Sequence, residues 1–424
     1  MKSICFYFQV HQPYRMRKYS IFDIGNKNDY FDAKKNKEIM EKVAKKCYLP
    51  ANKLMLELIK KYDGKFRIAY SISGVFLEQA EEYLPEIVQS FKELAKTGCV
   101  EFLDETYHHS LSYLFSKEEF KEQVEMHRDL MKKLFNQAPK VFRNTELIFN
   151  NDLAKYAQEL GYEGIIAEGA DRILGWRSPN YIYTNSYGKR IKMLLKNYKL
   201  SDDIAFRFGN KGWKEYPLTA EKFAAWLGEA EGDTVNLFMD YETFGEHQWE
   251  DTGIFNFMKA LPKEILKNPG LCFSTPSELT ELNTVGELDV HDFVSWADVE
   301  RDVSAWLGNR MQNSAIQRLY LLEQQVKKTG SKELMDSWRK LTTSDHFYYM
   351  CTKWFNDGDV HKYFNPYESP YDSFINFMNV LNDIQLKIKQ DSAESRKSRS
   401  NAKSFPMYTG IPAAAAERKE ELFY

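Results

Sequence analysis

The sequence predicts a parallel α/β fold followed by a helical region. Over about the first 285 residues, short apolar strands alternate with amphipathic helices, which is the pattern of a parallel sheet with helical crossovers. Beyond about residue 290 the strand pattern stops and only helical periodicity continues. The length of 424 residues also exceeds one compact core of ordinary size, so two domains or a barrel with an appended helical region are expected.

Seven segments of the first region have the character of strands. They are short, mainly apolar, and separated by turn residues or helical stretches. In chain order they are 3–10, 67–73, 100–105, 140–146, 164–169, 192–197 and 235–242. Apolar residues at three- and four-residue spacing predict helices between several of them, at 49–62, 118–135 and 150–161.

The second region is predicted to be helical and to end in a tail. Its helices are expected at 314–328, 331–351 and 372–388. Residues 391–424 contain serine, lysine and arginine runs and four consecutive alanines, a composition typical of a flexible or weakly helical tail.

Composition and charge argue against several classes of partner. The formal net charge is −3, so no strong field favours nucleic acid or a membrane surface. The apolar N-terminal run is too short for a signal peptide, and no segment approaches a membrane span. The five cysteines are scattered without CxxC spacing, so neither a disulfide framework nor a structural zinc site is expected. A reducing cytoplasm is the expected location.

Side-chain parity predicts that the polar strand ends meet. Side chains alternate between the two faces of a strand, and in 3–10 one face carries Ile4, Phe6, Phe8 and Val10. The opposite face carries Cys5, Tyr7 and Gln9 and continues to His11. A parallel barrel covers one face with helices and turns the other inwards, so polar groups at the carboxyl ends of inward faces share one mouth. We expect this mouth to hold His11, Glu105, Glu146 and Asp240.

Glu146 and Asp240 are the leading candidates for catalysis. A single glutamate before a helix often only complements the helix dipole, and charges after a strand are often solvated. Asp240 and Glu242, however, continue one face of a strongly apolar strand, where a buried carboxylate is costly unless it is paired or functional. Glycoside hydrolysis needs two carboxylates, one to attack the sugar carbon and one to protonate the leaving oxygen; retaining enzymes place them about 5–5.5 Å apart.

Further polar residues near the strand ends are candidates for sugar binding. A lone histidine after a strand is more often structural, but here several stand together: His11, His108, His109 and His247. With the carboxylates they would also suit a metal site, which stays open as a less favoured alternative. After the last predicted strand come Trp296, Asp302 and Trp306, whose helical spacing suits packing as well as a sugar-binding rim.

Five blocks of sequence occur in a fixed order. They are HQP at 11–13, GVFLEQ at 74–79, FRNTELIFNN at 142–151, DYETFGEH at 240–247 and SWADVERDVSAWLGN at 295–309. In these blocks the chain resembles glycoside hydrolase family 57, and in particular its α-amylase-like branch. HQP alone is weak evidence, whereas the third and fourth blocks together are highly specific. The resemblance makes Glu146 the nucleophile and Asp240 the acid/base, and the second block supplies Gly74 and Glu78.

The resemblance implies an incomplete (β/α)7 barrel with a helical region after it. We expect the catalytic barrel to cover 1–288 and a helical domain that completes the site to cover 289–390. The flexible tail over 391–424 is expected from its composition and matches no part of the family pattern. The resemblance also implies a retaining mechanism, no metal or organic cofactor, and an α-1,4-glucan as partner, such as starch, glycogen or maltodextrin. The residues expected to bind this substrate are His11, Gln12, Glu78, Glu105, His108, Glu242, His247, Trp296, Asp302 and Trp306. A retaining α-amylase-type hydrolase is therefore the first hypothesis. A 4-α-glucanotransferase using the same carboxylates and a non-catalytic glucan-binding protein are the alternatives.

Overall fold

A computed structural model of the chain describes residues 1–353 and 365–402, with side chains as far as residue 391. Ten strands lie within these residues: β1 (Lys2–Val10), β2 (Ile68–Ile72), β3 (Val100–Phe102), β4 (Val141–Arg143), β5 (Gly164–Glu168), β6 (Tyr183–Asn185), β7 (Lys192–Lys196), β8 (Thr234–Asp240), β9 (Leu271–Phe273) and β10 (Glu287–Leu288). The α-helices of the barrel region are Ala33–Val43, Leu49–Lys61, Gly74–Tyr83, Pro85–Ala95, Lys117–Phe135, Asn151–Glu159, Asp171–Leu174, Tyr198–Ala205, Ala220–Glu229, Ile254–Leu266 and Pro276–Leu279. Those of the helical region are Ser304–Leu307, Arg310–Leu321, Glu323–Thr329, Lys332–Lys340, Ser344–Tyr348 and Pro370–Ala402.

Seven of these strands form an incomplete barrel, in which every ladder between neighbours is parallel. One sheet has the order β3-β2-β1-β8, and the other contains β7-β5-β4. Only a few backbone hydrogen bonds join the two sheets: Asp104 N donates to Val141 O over 3.1 Å, and Asn197 N donates to Asn236 O over 2.9 Å. The seven barrel strands correspond one for one to the seven predicted from the sequence, and the predicted fold class is confirmed.

Three short strands were not predicted. β9 pairs with the start of β1, β6 lies antiparallel to β7, and β10 lies beside β6. Each has only two or three residues, so alternation of apolar and polar positions has no room to show.

The core confirms the predicted side-chain parity. Ile4, Phe6, Phe8 and Val10 belong to the large cluster between the strands and the surrounding helices. The opposite face of β1 contributes Cys5 and Tyr7 to a separate cluster inside the barrel, which also contains Phe238 of β8. The inward faces therefore converge, and the polar residues that end them reach a common mouth.

The helical region has its own apolar core and packs on the barrel. Its cluster includes the fully buried rings of Trp306, Trp338 and Phe377. The predicted helices 314–328 and 331–351 are each divided in two, with breaks at Leu322 and before Ser344. The final helix continues to Ala402, so the backbone of residues 391–402 is helical; the rest of the predicted tail, 403–424, lies outside the described residues.

A buried ion pair fastens the helical region to the barrel. Arg339 donates from Nε and Nη2 to the two oxygens of Glu119, over 2.8 and 3.2 Å. Glu119 lies on the barrel helix Lys117–Phe135 and its side chain is fully buried. Lys327 Nζ lies 3.5 Å from the same carboxylate. A two-pronged contact between arginine and carboxylate fixes orientation as well as distance, so it sets how the two regions face each other.

Candidate active site

The two catalytic candidates lie at the carboxyl ends of barrel strands. Asp240 is the last residue of β8, and Glu146 follows β4 in a single 3-10 turn, Thr145–Leu147. Glu146 has a φ of +59° and Leu147 one of +52°, a left-handed conformation that costs about 1–3 kcal/mol for a residue with a side chain. Such strain persists where the surroundings fix the backbone, and it is concentrated at functional sites.

Three side chains hold the Glu146 carboxylate. Trp296 Nε1 donates to Oε2 over 2.7 Å, and Ser344 Oγ donates to Oε1 over 3.0 Å. His109 Nε2 lies 3.4 Å from Oε1, and the Glu146 side chain remains 18% exposed. Donors of this kind favour the ionised form of a carboxyl group while the remaining exposure leaves it open to a ligand.

His109 connects Glu146 to a second carboxylate deeper in the barrel. Its Nδ1 lies 2.8 Å from Glu105 Oε2, and Glu105 also accepts from Gln9 Nε2 over 3.0 Å. Burial opposes a charge on His109, but its bonds to Glu105 and Glu146 raise its pKa to about 9, so the ring is an imidazolium near neutral pH. Glu105 itself is fully buried and holds His109 rather than facing the mouth.

The pKa values of Glu146 and Asp240 are moved in opposite directions. Burial tends to raise the pKa of Glu146, but the bond and charge of His109 and the charge of Arg143 bring it below its ordinary value. For Asp240, burial and the negative charge of Glu146 raise the pKa to about 6, against the opposing charges of Arg143, Lys196 and His109. The pair therefore provides one carboxylate and one carboxylic acid in mildly acidic solution.

The helical region contributes to the site beside His11. His11 Nδ1 lies 2.7 Å from Ser73 Oγ, and its Nε2 lies 3.0 Å from Asp345 Oδ2. The His11 ring stacks on that of His109, with centroids 4.1 Å apart. Because Ser344 and Asp345 are consecutive, one short helix reaches both Glu146 and His11.

Glu242 lies next to Asp240 in a buried polar group with Tyr48 and Gln12. The Tyr48 hydroxyl donates to Glu242 Oε1, and Gln12 Nε2 donates to the same hydroxyl over 3.0 Å. Burial and the charge of Asp240 raise the pKa of Glu242 to about 8. The backbone N of His247 donates to the Glu242 carbonyl over 2.9 Å, and burial lowers the pKa of the His247 ring to about 4.

Glu78 belongs to a neighbouring group of tyrosines. Tyr107 and Tyr14 donate to its two oxygens over 2.8 and 3.3 Å. Its helix begins at Gly74, where a Cβ would lie 2.5 Å from the Tyr107 ring. A side chain at position 74 would displace Tyr107, so this glycine of the second block is required by close packing.

Three residues predicted to bind substrate are engaged with other parts of the protein. Trp306 is 1% exposed in the helical core, so its ring packs against protein. Asp302 accepts from the backbone N of Ser304 over 2.8 Å, in the segment that leads into the helix Ser304–Leu307. His108 is buried beside Arg339, and burial together with that charge keeps its pKa well below the ordinary value.

Several residues of the site were not singled out from the sequence. They are Arg143, Lys196, Ser344 and Asp345. His109 stands among the candidate histidines of the sequence but not among the residues expected to bind substrate. Ser344 and Asp345 are separated by about 200 residues from Glu146, and nothing in their local sequence indicates that they meet it. Arg143 and Lys196 end β4 and β7, and the expectation that strand ends share one mouth applies to them equally.

Residues 1–353 and 365–402 contain neither a candidate metal site nor a candidate membrane-spanning helix. No group of three or more histidine, cysteine or acidic side chains is placed to hold a metal ion. No helix in that part of the chain is long and apolar enough to cross a bilayer.

Comparison with known proteins relates the chain to one enzyme family. The family model described as Glycosyl hydrolase family 57 matches residues 5–292. A Methanocaldococcus jannaschii protein named "Putative alpha-amylase" is 48% identical over 412 residues, covering 94% of this chain and 87% of that protein. The alpha-amylase of Pyrococcus abyssi is 26% identical over 173 residues, 40% of this chain and 26% of that one.

Solved structures of low sequence identity share the fold. A family 57 branching enzyme from Thermococcus kodakaraensis gives a TM-score of 0.64 at 14% identity, covering 92% of this chain and 94% of the other. The 4-alpha-glucanotransferase of Thermococcus litoralis gives 0.63 at 18% identity, and the match spans 82% of this chain but 56% of that longer one. The resemblance seen in the five sequence blocks is thereby confirmed. The chain belongs to glycoside hydrolase family 57 and is an α-amylase-like member of it.

Proposed function

We propose that this enzyme hydrolyses α-1,4-glucans with retention of configuration, with Glu146 as nucleophile and Asp240 as acid/base. The observation that carries the proposal is the opposite displacement of the two pKa values, below normal for Glu146 and to about 6 for Asp240. A nucleophile must be ionised and a general acid must keep its proton, so the two environments match these two roles. The α-amylase names of the relatives favour an α-glucan as substrate.

In the first step, an oxygen of Glu146 attacks the anomeric carbon as the bond to the glycosidic oxygen breaks. The proton of Asp240 moves to that oxygen, so the leaving sugar departs as an alcohol. The products of the step are a glycosyl ester on Glu146 and a carboxylate on Asp240. Trp296, Ser344 and His109 keep Glu146 in place and ionised before the attack.

In the second step, Asp240 acts as a base. Ester formation removes the negative charge of Glu146, which is one of the two causes of the raised pKa of Asp240. Asp240 therefore stays ionised and takes a proton from water, whose oxygen attacks the anomeric carbon and releases Glu146 as carboxylate. Two inversions restore the original configuration.

Replacing each carboxyl group by its amide tests the two roles separately. Glu146→Gln and Asp240→Asn should each lower kcat on maltooligosaccharides by at least about 10³-fold with the fold retained. On an aryl α-maltoside, whose leaving group needs no proton, the loss of kcat in Asp240→Asn should be much smaller than on maltooligosaccharides. Azide should restore turnover to both, giving an inverted glycosyl azide with Glu146→Gln and a retained one with Asp240→Asn.

Glu163→Gln, at an exposed residue paired with Lys140 on the barrel surface, is the matched control. Full activity of either active-site variant would refute the assignment.

The second candidate is a 4-α-glucanotransferase, which the fold shared with the Thermococcus litoralis enzyme brings into consideration. Both activities use the same glycosyl-enzyme and differ in whether water or a sugar accepts the glycosyl group. Incubation with maltotriose separates them, because hydrolysis yields only glucose and maltose. Products longer than maltotriose would establish transfer as the main reaction.

A further inference from the structure

A group of charged side chains lies at the ends of β5 and β7, beside the proposed catalytic pair. Lys196, the last residue of β7, is 7% exposed at its side chain. Its Nζ lies 3.7 Å from Glu168 Oε2 and 3.4 Å from Asp202 Oδ1. Glu168 is the last residue of β5 and is fully buried, so the ammonium group is held from two sides within the barrel.

The same ammonium group lies near the tryptophan that binds the proposed nucleophile. Lys196 Nζ lies 5.3 Å from the centroid of the Trp296 ring, whose indole N–H binds Glu146. β7 and β8 are neighbours, because Asn236 Nδ2 donates to Leu195 O over 2.9 Å, and the next residue along β7 is Lys196. Asp240 ends the adjoining strand β8, so the two charged groups belong to neighbouring strand ends of one mouth.

Other charged groups surround Lys196 and Asp240. On the Lys196 side, Arg301 lies between Glu168 and Asp202, 4.0 and 3.9 Å from their oxygens. Around Asp240 the charged and titratable groups are Glu146, Arg143, Lys196, His109, Glu242 and the buried phenol of Tyr7. Lys196 thus shares the two anions Glu168 and Asp202 with Arg301, and its positive charge opposes the rise in the pKa of Asp240.

We propose that Lys196 is a positioning residue for Asp240: held by Glu168 and Asp202, its ammonium group stabilises the Asp240 carboxylate that remains once the proton has passed to the leaving sugar. This inference rests on the proposed role of Asp240. The only proton transferred in this step is the one from Asp240 to the glycosidic oxygen. The charge of Lys196 acts on both halves of the reaction, since the acid of the first step is the base of the second.

Removing the positive charge of Lys196 should raise the pKa of Asp240. Without the ammonium group the carboxylate of Asp240 is less stable, so the group holds its proton to higher pH. The alkaline limb of kcat/KM against pH reports the loss of this proton, and it should move upward. A nearby opposite charge typically shifts a carboxyl pKa by about one unit or more. The alkaline limb of the Lys196→Met variant should therefore move up by about one pH unit.

The experiment measures kcat/KM between about pH 4 and 9 for Lys196→Met, Lys196→Gln and Lys196→Arg. The two neutral variants should share the upward shift, whereas Lys196→Arg, which keeps the charge, should leave the limb within about 0.3 units of wild type. Lys192→Met is the matched control, because Lys192 lies on the same face of β7 at its other end and donates to the Leu282 carbonyl. It should leave the limb unchanged. Thermal unfolding of each variant shows that it is folded.

Two outcomes would overturn the proposal: an alkaline limb that stays in place in both neutral variants, or an equal shift in Lys192→Met. A titration of Asp240 by carbon-13 NMR, assigned with Asp240→Asn, gives the same answer without turnover and applies to a variant with poor activity. If wild-type glucan turnover survives Asp240→Asn, the proposed function fails. If Asp240→Asn abolishes turnover while Lys196→Met and Lys196→Gln leave the limb unmoved, only the role of Lys196 fails.

Discussion

Trp296 donates its indole N–H to Glu146 over 2.7 Å, although the two residues are 150 positions apart in the chain. The backbone N of Trp296 also donates to the Glu146 carbonyl, over 3.2 Å. Arg143 lies 5.1 Å from the centre of the same ring and Lys196 lies 5.3 Å from it. The indole N–H therefore orients the proposed nucleophile. The indole ring also lies close to two cations that act on the proposed catalytic pair.

The pH dependence of the wild-type enzyme follows from the two displaced pKa values. The proposed mechanism requires Glu146 ionised and Asp240 protonated, so kcat/KM should rise as pH passes the lowered pKa of Glu146 and fall as pH passes about 6. We expect a bell-shaped profile with its maximum in mildly acidic solution. Initial rates on maltooligosaccharides across the pH range measure it. Activity that keeps increasing from pH 6 to 8 would contradict the proton-donor role of Asp240.

Removing the charge of His109 should move the acidic limb. His109→Asn suits the backbone, since His109 has a φ of +50° and asparagine tolerates this conformation better than most residues. Without the imidazolium the carboxylate of Glu146 is less stable, so the acidic limb should move up by about one unit. Loss of a hydrogen bond to a charged group should lower kcat by about ten- to a hundred-fold.

The control for His109→Asn is His291→Asn. His291 is a surface histidine, 69% exposed at its side chain and paired with Asp289 over 2.8 Å. It should leave both the rate and the pH profile as in the wild type. If His109→Asn lowers the rate without moving the acidic limb, His109 acts through packing rather than through its charge.

Replacing Trp296 by phenylalanine should isolate the contribution of its indole N–H. Trp296→Phe keeps an aromatic ring near Arg143 but removes the donor to Glu146. We expect kcat to fall about ten-fold or more, with KM changed less, because the bond orients the attacking group. Steady-state kinetics measure this split. Trp226→Phe, in the barrel helix Ala220–Glu229, is the control and should match wild type. Equal effects at the two positions would indicate general loss of packing.

Breaking the ion pair between Arg339 and Glu119 should destabilise the protein and impair the site. Arg339→Met leaves Glu119 buried without its two-pronged partner, at a cost of about 3 kcal/mol. Ser344 follows five residues later and binds Glu146, so kcat should fall as well. Urea unfolding measures the stability, and Lys332→Met, at an exposed residue of the same helix, is the control. An unchanged unfolding midpoint would show that the pair is not needed for docking.

Local sequence was sufficient for the barrel strands and for the identity of the two candidate carboxylates. Alternation of apolar residues identifies β1 and β8 and the faces they turn inwards, because the period of a strand is a property of a few consecutive residues. The blocks around Glu146 and Asp240 carry the family resemblance because they are short and contiguous. The same information could not separate His108 from His109, since the turn that follows β3 has no fixed period and His109 adopts a positive φ.

The environment of those carboxylates was decided by the tertiary structure. Trp296, Ser344 and His109 reach Glu146 from three different parts of the chain, and the helical region does so because Arg339 fastens it to Glu119. Burial and mutual repulsion, which set the proton affinity of Asp240, exist only after folding has brought distant charges together. The sequence by itself determined which strands form and which acids end them. Only the folded barrel and its helical region determined which acid is ionised, because a pKa depends on neighbours in space and not on neighbours along the chain.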